Sequence, residues 1–301
     1  MFFQNTIRDG ISGSLLFRDS FSRLLQAGAM TQLDCVQKAA EMGFDAIEFV
    51  DILPHDGSAP EEYAGRLGEA CKRAGLAVSN YTVGADFLTG SAGDLQAEVK
   101  RVCGQVDLAA CLGAASMRHD ATGGYPPAGR SWRGFDQALP RLAEGCRAVA
   151  AYGEKLGIRT MVENHGYFCQ ESRRVEKLVN MVAHENFGLL NDMGNFLCVD
   201  ENPAEAVGRV APYAFYVHAK DFILKSGMEP DPGEGFFRTR GGNRLRGTII
   251  GHGCVPVRQC LSILKQNGYD GYVSIEFEGM EDPLQALPIG LANLRRYLEE
   301  A

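Results

Sequence analysis

Residues 158–166 read IRTMVENHG, 187–195 read FGLLNDMGN, 214–221 read AFYVHAKD and 271–279 read GYVSIEFEG. Each stretch runs through β-branched, aromatic and aliphatic residues and then closes on charged ones. An apolar run without strict alternation suits a parallel strand covered on both faces. Charge on such a strand is unfavourable unless it is paired or binds a cation, yet four strands in succession end this way. Working outward, comparable runs occupy 11–17, 46–51, 76–82 and 114–119. Between the runs, apolar residues recur at helical spacing, as in Tyr63, Leu67, Cys71 and Ala74, or Val175, Leu178, Val179 and Val182. Pro203 and Pro256 stand where first-turn prolines belong, and Gly43, Gly75, Gly157 and Gly268 stand where helices are capped. Eight strands, each followed by a helix, predict an α/β fold closed as a (β/α)8 TIM barrel. No GxGxxG or GxxxxGK[ST] supports the rival open, doubly wound sheet.

The chain has 301 residues, 45% of them hydrophobic and 23% charged, which excludes disorder and collagen-like repeats. No Pro/Ser-rich linker divides it, so residues 1–301 are expected to form one barrel domain. Long loops are expected at 122–133 and 225–247, both at the C-terminal face of the barrel, where sites are built. The second loop carries Arg238, Arg240, Arg244 and Arg246 among glycines and reads as a lid or as a solvated insertion. With 30 basic against 38 acidic residues the net charge is −8, which disfavours nucleic acid as a partner. There is no run of about eighteen apolar residues for a membrane span and no basic-then-apolar start for a secretory signal. Nine cysteines without a CxxC suggest reduced thiols and a cytoplasmic setting. Self-association into a homo-oligomer is the default expectation for such a barrel.

Glu163, Asp192, His218 and Glu276 supply three carboxylates and one imidazole at the strand ends. That donor set suits a divalent metal, Mn²⁺ first, with Mg²⁺, Co²⁺ or Zn²⁺ admissible. Because residues i and i+2 share a strand face, His165, Lys220 and Glu278 are expected to enter the same pocket. His165 is then a candidate general base and Lys220 a donor to an oxygen that develops charge. His119 ends the fourth strand and either reaches the pocket or pairs with Asp120. Glu48 ends the second and either holds a substrate hydroxyl or pairs with a neighbouring base. Trp132, in the first long loop, is a candidate to stack on a sugar face, and Arg246 a candidate from the second.

At these strand ends, in VENHG, LLNDMGN, VHAKD and the closing stretch 251–279, the sequence resembles the sugar phosphate isomerase/epimerase family. Its fold is the xylose-isomerase-like barrel, and it includes ketose 3-epimerases, hydroxypyruvate isomerases and inosose dehydratases. The resemblance covers nearly the whole chain. It implies that Glu163, Asp192, His218 and Glu276 hold the metal, and that Glu163 and Glu276 exchange the proton on opposite faces of the substrate. Three departures stand out: Asn195 where ketose 3-epimerases carry a histidine, Leu224 and Lys225 where they carry an arginine, and His165 where they show none.

These observations predict a divalent-metal-dependent sugar isomerase or epimerase that removes the proton next to a carbonyl to give a metal-stabilised enediolate. The alternative is a β-eliminating lyase, of the inosose dehydratase type or a C-glycoside-deglycosidase subunit acting on a 3-keto glycoside. In the latter case a hetero-oligomer is expected. A non-catalytic sugar-binding or assembly subunit is the alternative of another class. The expected partner is a small sugar, polyol or keto-glycoside, and neither nucleic acid nor a membrane.

Overall fold

The structure, a computed structural model, describes residues 13–16, 21, 24–25, 27–129 and 132–301. Eight parallel strands form the barrel: β1 (Gly13–Leu16), β2 (Ala46–Val50), β3 (Ala77–Val83), β4 (Ser116–His119), β5 (Arg159–Glu163), β6 (Phe187–Asp192), β7 (Ala214–Ala219) and, last in the chain, β11 (Val273–Ile275). Each pairs with its sequence neighbour, and β11 closes the ring between β7 and β1. All eight predicted strands are present; residues 11, 12 and 17 of the first lie outside the described residues. The last is shorter than predicted, since Glu276 and Phe277 have already left the ladder.

Helices α1 (Gln32–Glu41), α2 (Pro60–Ala74), α3 (Leu95–Leu112), α4 (Phe135–Lys155), α5 (Ser172–Val182), α6 (Pro203–Val210), α7 (Val257–Gln266) and α8 (Pro283–Glu300) form the outer layer. Their apolar stripes face the strands: Tyr63 and Leu67 of α2, Leu142 and Val149 of α4, and Val175 and Leu178 of α5 are fully buried. Each such side chain contributes about 1.5–3 kcal/mol relative to exposure. Gly75 ends α2 at φ +73°, where its N–H closes onto the Cys71 and Lys72 carbonyls, as its sequence position predicts. Pro256 differs slightly: it precedes α7 as its N-cap rather than opening the first turn.

The barrel interior is layered by the two-residue period of the strands. Met161, Leu190 and Tyr216 pack together inside the barrel. Two residues on, along the same strands, come Glu163, Asp192 and His218, so an apolar plug supports a polar layer nearer the C-terminal mouth.

The segment 225–247 is not an open loop. After Lys220 the chain continues directly into β8 (Asp221–Lys225), followed by β9 (Phe237–Arg238) and β10 (Arg244–Thr248), a small antiparallel sheet in the order β8-β10-β9. Phe222 and Leu245 are buried beneath it, and the Phe222 and Phe237 rings meet edge to face at 5.7 Å. The Asp221 carboxylate accepts the backbone N–H groups of Phe222, Gly251, Gly253 and Val255 at 2.9–3.0 Å, anchoring the sheet to the loop before α7. A Cβ on Gly253 would come within 2.2 Å of that carboxylate, so only glycine fits there.

Candidate metal centre

Four adjacent staves, β5, β6, β7 and β11, deliver Glu163, Asp192, His218 and Glu276 to one place. One ligand atom from each lies within 4.8 Å of every other. His218 Nδ1 stands 3.2 Å from Glu276 Oε2, 3.6 Å from Glu163 Oε1 and 3.8 Å from Asp192 Oδ2. All four residues are buried. His218 Nδ1, Asp192 Oδ2 and Glu276 Oε2 make no well-aligned hydrogen bond, although buried polar atoms are ordinarily satisfied. Converging donor atoms of this kind, with an ion pair to Lys220 as the main engagement of Glu276 Oε2, fit a divalent cation.

The surroundings hold each ligand in position. His218 turns its Nε2 to Glu48 Oε2 at 2.9 Å, which leaves Nδ1 facing the cluster. Glu48 is itself fixed by Asn80 Nδ2 at 2.9 Å and Thr82 Oγ1 at 2.7 Å, both on its other oxygen. This is the carboxylate–histidine arrangement that orients metal-binding imidazoles. Asp192 Oδ1 accepts the N–H groups of Gly194 and Asn195, leaving Oδ2 for the cluster. The Asn164 side chain locks the end of β6 by bonding both the N–H and the carbonyl of Asp192. On Glu163, Oε1 accepts from Asn195 Nδ2 at 2.9 Å and Oε2 pairs with Arg118 at 2.6 Å. Substituting Glu48→Gln is expected to weaken Mn²⁺ binding about 10–100-fold while the protein stays folded. Calorimetric titration checks this, and unchanged affinity would mean that Glu48 only packs.

Electrostatically the layer is short of positive charge. Burial pushes the Glu163 carboxyl up, but Arg118 and His218 outweigh it and hold it at about 2. Burial also opposes ionisation of Glu276, yet Lys220 and His218 bring it well below the usual carboxylate range. Asp192 goes the other way: burial and the neighbouring Glu276 raise it well above that range despite Lys220. Three carboxylates this close ionise together only with more cationic charge nearby.

Above the cluster opens a pocket of about 510 Å³, lined by His165, Asn195, Lys220, Phe237 and Glu278 among others. Lys220 forms the floor between pocket and cluster, with Nζ 2.8 Å from Glu276, 3.4 Å from Glu278 and 3.5 Å from Asp192. Burial works against its charge, but the surrounding carboxylates raise its pKa well above the ordinary lysine value. Asn195 joins Lys220 to Glu163, accepting from Nζ at 3.2 Å. His165 stands at the pocket wall, half exposed, with Nδ1 3.0 Å from Asp120 Oδ1.

Four candidate substrate residues do not line this pocket, and His119 and Glu48 make the pairings given as their alternatives. His119 faces outward, packed against the Phe87 and Phe187 rings with Nδ1 on the Asp120 carbonyl, and burial lowers its pKa to about 4. Strand pleating decides this: Ser116 and Arg118 share the inner face of β4, so His119 has the outer one. Glu48 lies under His218, inside the barrel and out of reach of the pocket. Arg246 pairs with Glu281 at 3.7 Å and lies over the Phe236 ring, because β10 turns it toward the loop after β11. Trp132 is 63% exposed at the rim, stacked on the Arg133 guanidinium at 4.0 Å. Sequence reasoning missed Arg118, which is buried and spans Glu163 and Asp120. The signal was present, since an arginine within a fully covered strand needs an acidic partner.

Residues 36–297 match the family described as the xylose isomerase-like TIM barrel. The chain belongs to this family. Among its relatives is an inosose dehydratase of Clostridium beijerinckii, 29% identical over 161 residues, which are 53% of each chain. The chain thus spans about half the length of the curated relatives it matches. Among solved structures, D-psicose 3-epimerase with D-tagatose from Clostridium cellulolyticum H10 superposes with a TM-score of 0.71 at 14% identity, covering 95% of this chain and 99% of that one. The 3-keto-D-glucoside 4-epimerase of E. coli gives 0.66 at 18% identity, covering 88% and 94%. At such identities these two show the shared xylose isomerase-like fold. Within that fold, Leu224 and Lys225 lie in the small sheet, Leu224 opposite Leu245 and Lys225 3.6 Å from Glu229, and neither lines the pocket.

Proposed function

We propose that this chain is a divalent-metal-dependent isomerase or epimerase of a sugar-like carbonyl compound, working by removal of the proton beside the carbonyl. The observation that carries this reading is the convergence of one ligand atom from each of four buried groups, linked through Lys220 and Asn195 to a pocket of about 510 Å³. Glu163, Asp192, His218 and Glu276 hold the metal, which we take to be Mn²⁺ and which supplies Lewis acidity when bound. Lys220, kept charged by its carboxylate neighbours, stands where an oxygen gains negative charge. His165, held by Asp120 through Nδ1, has Nε2 left to take a proton, and Glu276 is the group to return it from the far side. The thiols are unpaired at all nine cysteines, in keeping with a cytoplasmic enzyme.

One observation favours a second reading. Both oxygens of Glu163 are engaged, by Asn195 and by Arg118, which removes it as a free proton carrier. With His165 in place of Glu163 as the base, proton removal can also be followed by expulsion of a group one carbon further on. That would be a β-eliminating lyase, the chemistry named in the inosose dehydratase relatives.

Incubation with Mn²⁺ in D₂O, with ketoses and with 3-keto glycosides, separates the two. Deuterium beside the carbonyl in an epimerised or isomerised product supports the first; eliminated product without an epimer supports the second. Absence of exchange with every carbonyl sugar, together with no gain in Tm on adding Mn²⁺, would reject both. His165→Ala is expected to lower exchange about 10²–10⁴-fold. Full exchange in that variant would return the role to Glu163 and Glu276.

A further inference from the structure

Among the described residues the pocket is lined by a single carboxylate, Glu278, and it lies outside the set of four. Three other polar side chains of the wall are already engaged. Asn195 gives Nδ2 to Glu163 and Oδ1 to Lys220, Gln170 bonds the Tyr167 N–H and the Asn195 carbonyl, and Lys220 stands closest to Glu276, at 2.8 Å. Glu278 differs. Its side chain is 37% exposed, and its one polar contact among the described residues is Lys220, at 3.4 Å. A carboxylate offers about four acceptor sites, so most of its capacity is open to the pocket.

The backbone that carries Glu278 has a support of its own. β11 ends at Ile275, so Glu278 stands beyond the barrel ladder. The small sheet holds it instead: Gly247 at the end of β10 bridges to Gly279, parallel to it. A Cβ on Gly247 would come within 2.5 Å of the Glu278 carbonyl oxygen, so only glycine lets the two backbones approach this closely. The segment 225–247 thereby fixes where this carboxylate enters the pocket.

The charge balance says what such a group can meet. The three carboxylates of the cluster, with Glu48, Asp120 and Glu278, make six acids in one connected layer, against the two cations Arg118 and Lys220. A divalent ion in the cluster still leaves two negative charges in excess. A phosphate or carboxylate on the substrate would meet that excess, and like charges brought together out of water are strongly repelled. A hydroxyl fits instead, because it can donate to Glu278 and accept from Lys220 beside it. We propose that Glu278 determines specificity: it accepts a hydroxyl of the substrate next to Lys220 and turns away phosphorylated and other anionic sugars. This rests on the reading of the pocket as the sugar site.

The test is equilibrium binding to the full chain with Mn²⁺, using D-fructose and D-fructose 6-phosphate as probes. The wild type is expected to bind fructose about tenfold more tightly than its phosphate. Glu278→Gln should weaken fructose binding about tenfold and tighten phosphate binding several-fold, so that the preference disappears. Glu278→Asp, which keeps the charge, should retain the order of the two. Mn²⁺ affinity and Tm, read on the same samples, should stay close to wild type, whereas a residue that only supported the fold or the metal would shift them. Three results overturn the proposal: a preference that Glu278→Gln leaves unchanged, phosphate bound as tightly as fructose by the wild type, or neither sugar bound. Binding needs no turnover, so selection by Glu278 without exchange in D₂O would sink the proposed reaction alone, and exchange without selection would sink this assignment alone.

Discussion

Glu276→Gln is expected to lower proton exchange by on the order of 10³-fold or more, with the fold intact. The amide keeps the volume but loses the charge that faces His218 at 3.2 Å and Lys220 at 2.8 Å. It removes one of the three carboxylates proposed to hold the metal and, with it, the proposed proton carrier. Stability should change little, because Lys220 retains Asp192 and Glu278 within 3.5 Å. The measurements are exchange rate, Mn²⁺ affinity and Tm on the same preparation. A variant that exchanges at the wild-type rate would show that the chemistry happens elsewhere.

The second large effect concerns stability. Arg118 is the buried cation between Glu163, 2.6 Å away, and Asp120, 2.9 Å away. Arg118→Met keeps much of the side-chain length and leaves both acids without that partner. Removing one member of a buried ion pair costs about 3–5 kcal/mol, because the remaining charge stays desolvated. Urea unfolding of the metal-free protein should show a loss of that size. Saturating Mn²⁺ should restore part of it, since a cation beside Glu163 offsets the missing guanidinium. A change within about 0.5 kcal/mol would mean that solvent or another group already compensates these acids.

The sequence made the barrel legible because a parallel strand covered on both faces must be apolar, and eight such runs alternate with amphipathic helices. The four strand-end groups were legible for the same reason, as charges standing where burial penalises them. Pleating was harder to read where two polar residues adjoin. In SMRHD both Arg118 and His119 are candidates, and the two-residue period alone does not say which faces inward. Ser116 and its bond to Asn80 across β3 and β4 set that parity. The segment 225–247 was opaque for another reason: its strands are short, and they are held by Asp221 and by Phe222 and Leu245 beneath rather than by a pattern of their own.

Local pattern, then, determined the fold class and the residues able to form a cation site, because periodicity and the cost of burying charge act along the chain. Only the folded barrel decided that Glu48 backs His218 from 170 positions away, that Arg118 engages Glu163, and that Asn195 joins Lys220 to Glu163. Those relations depend on side chains brought together across the ring, where distance in sequence carries no information about distance in space.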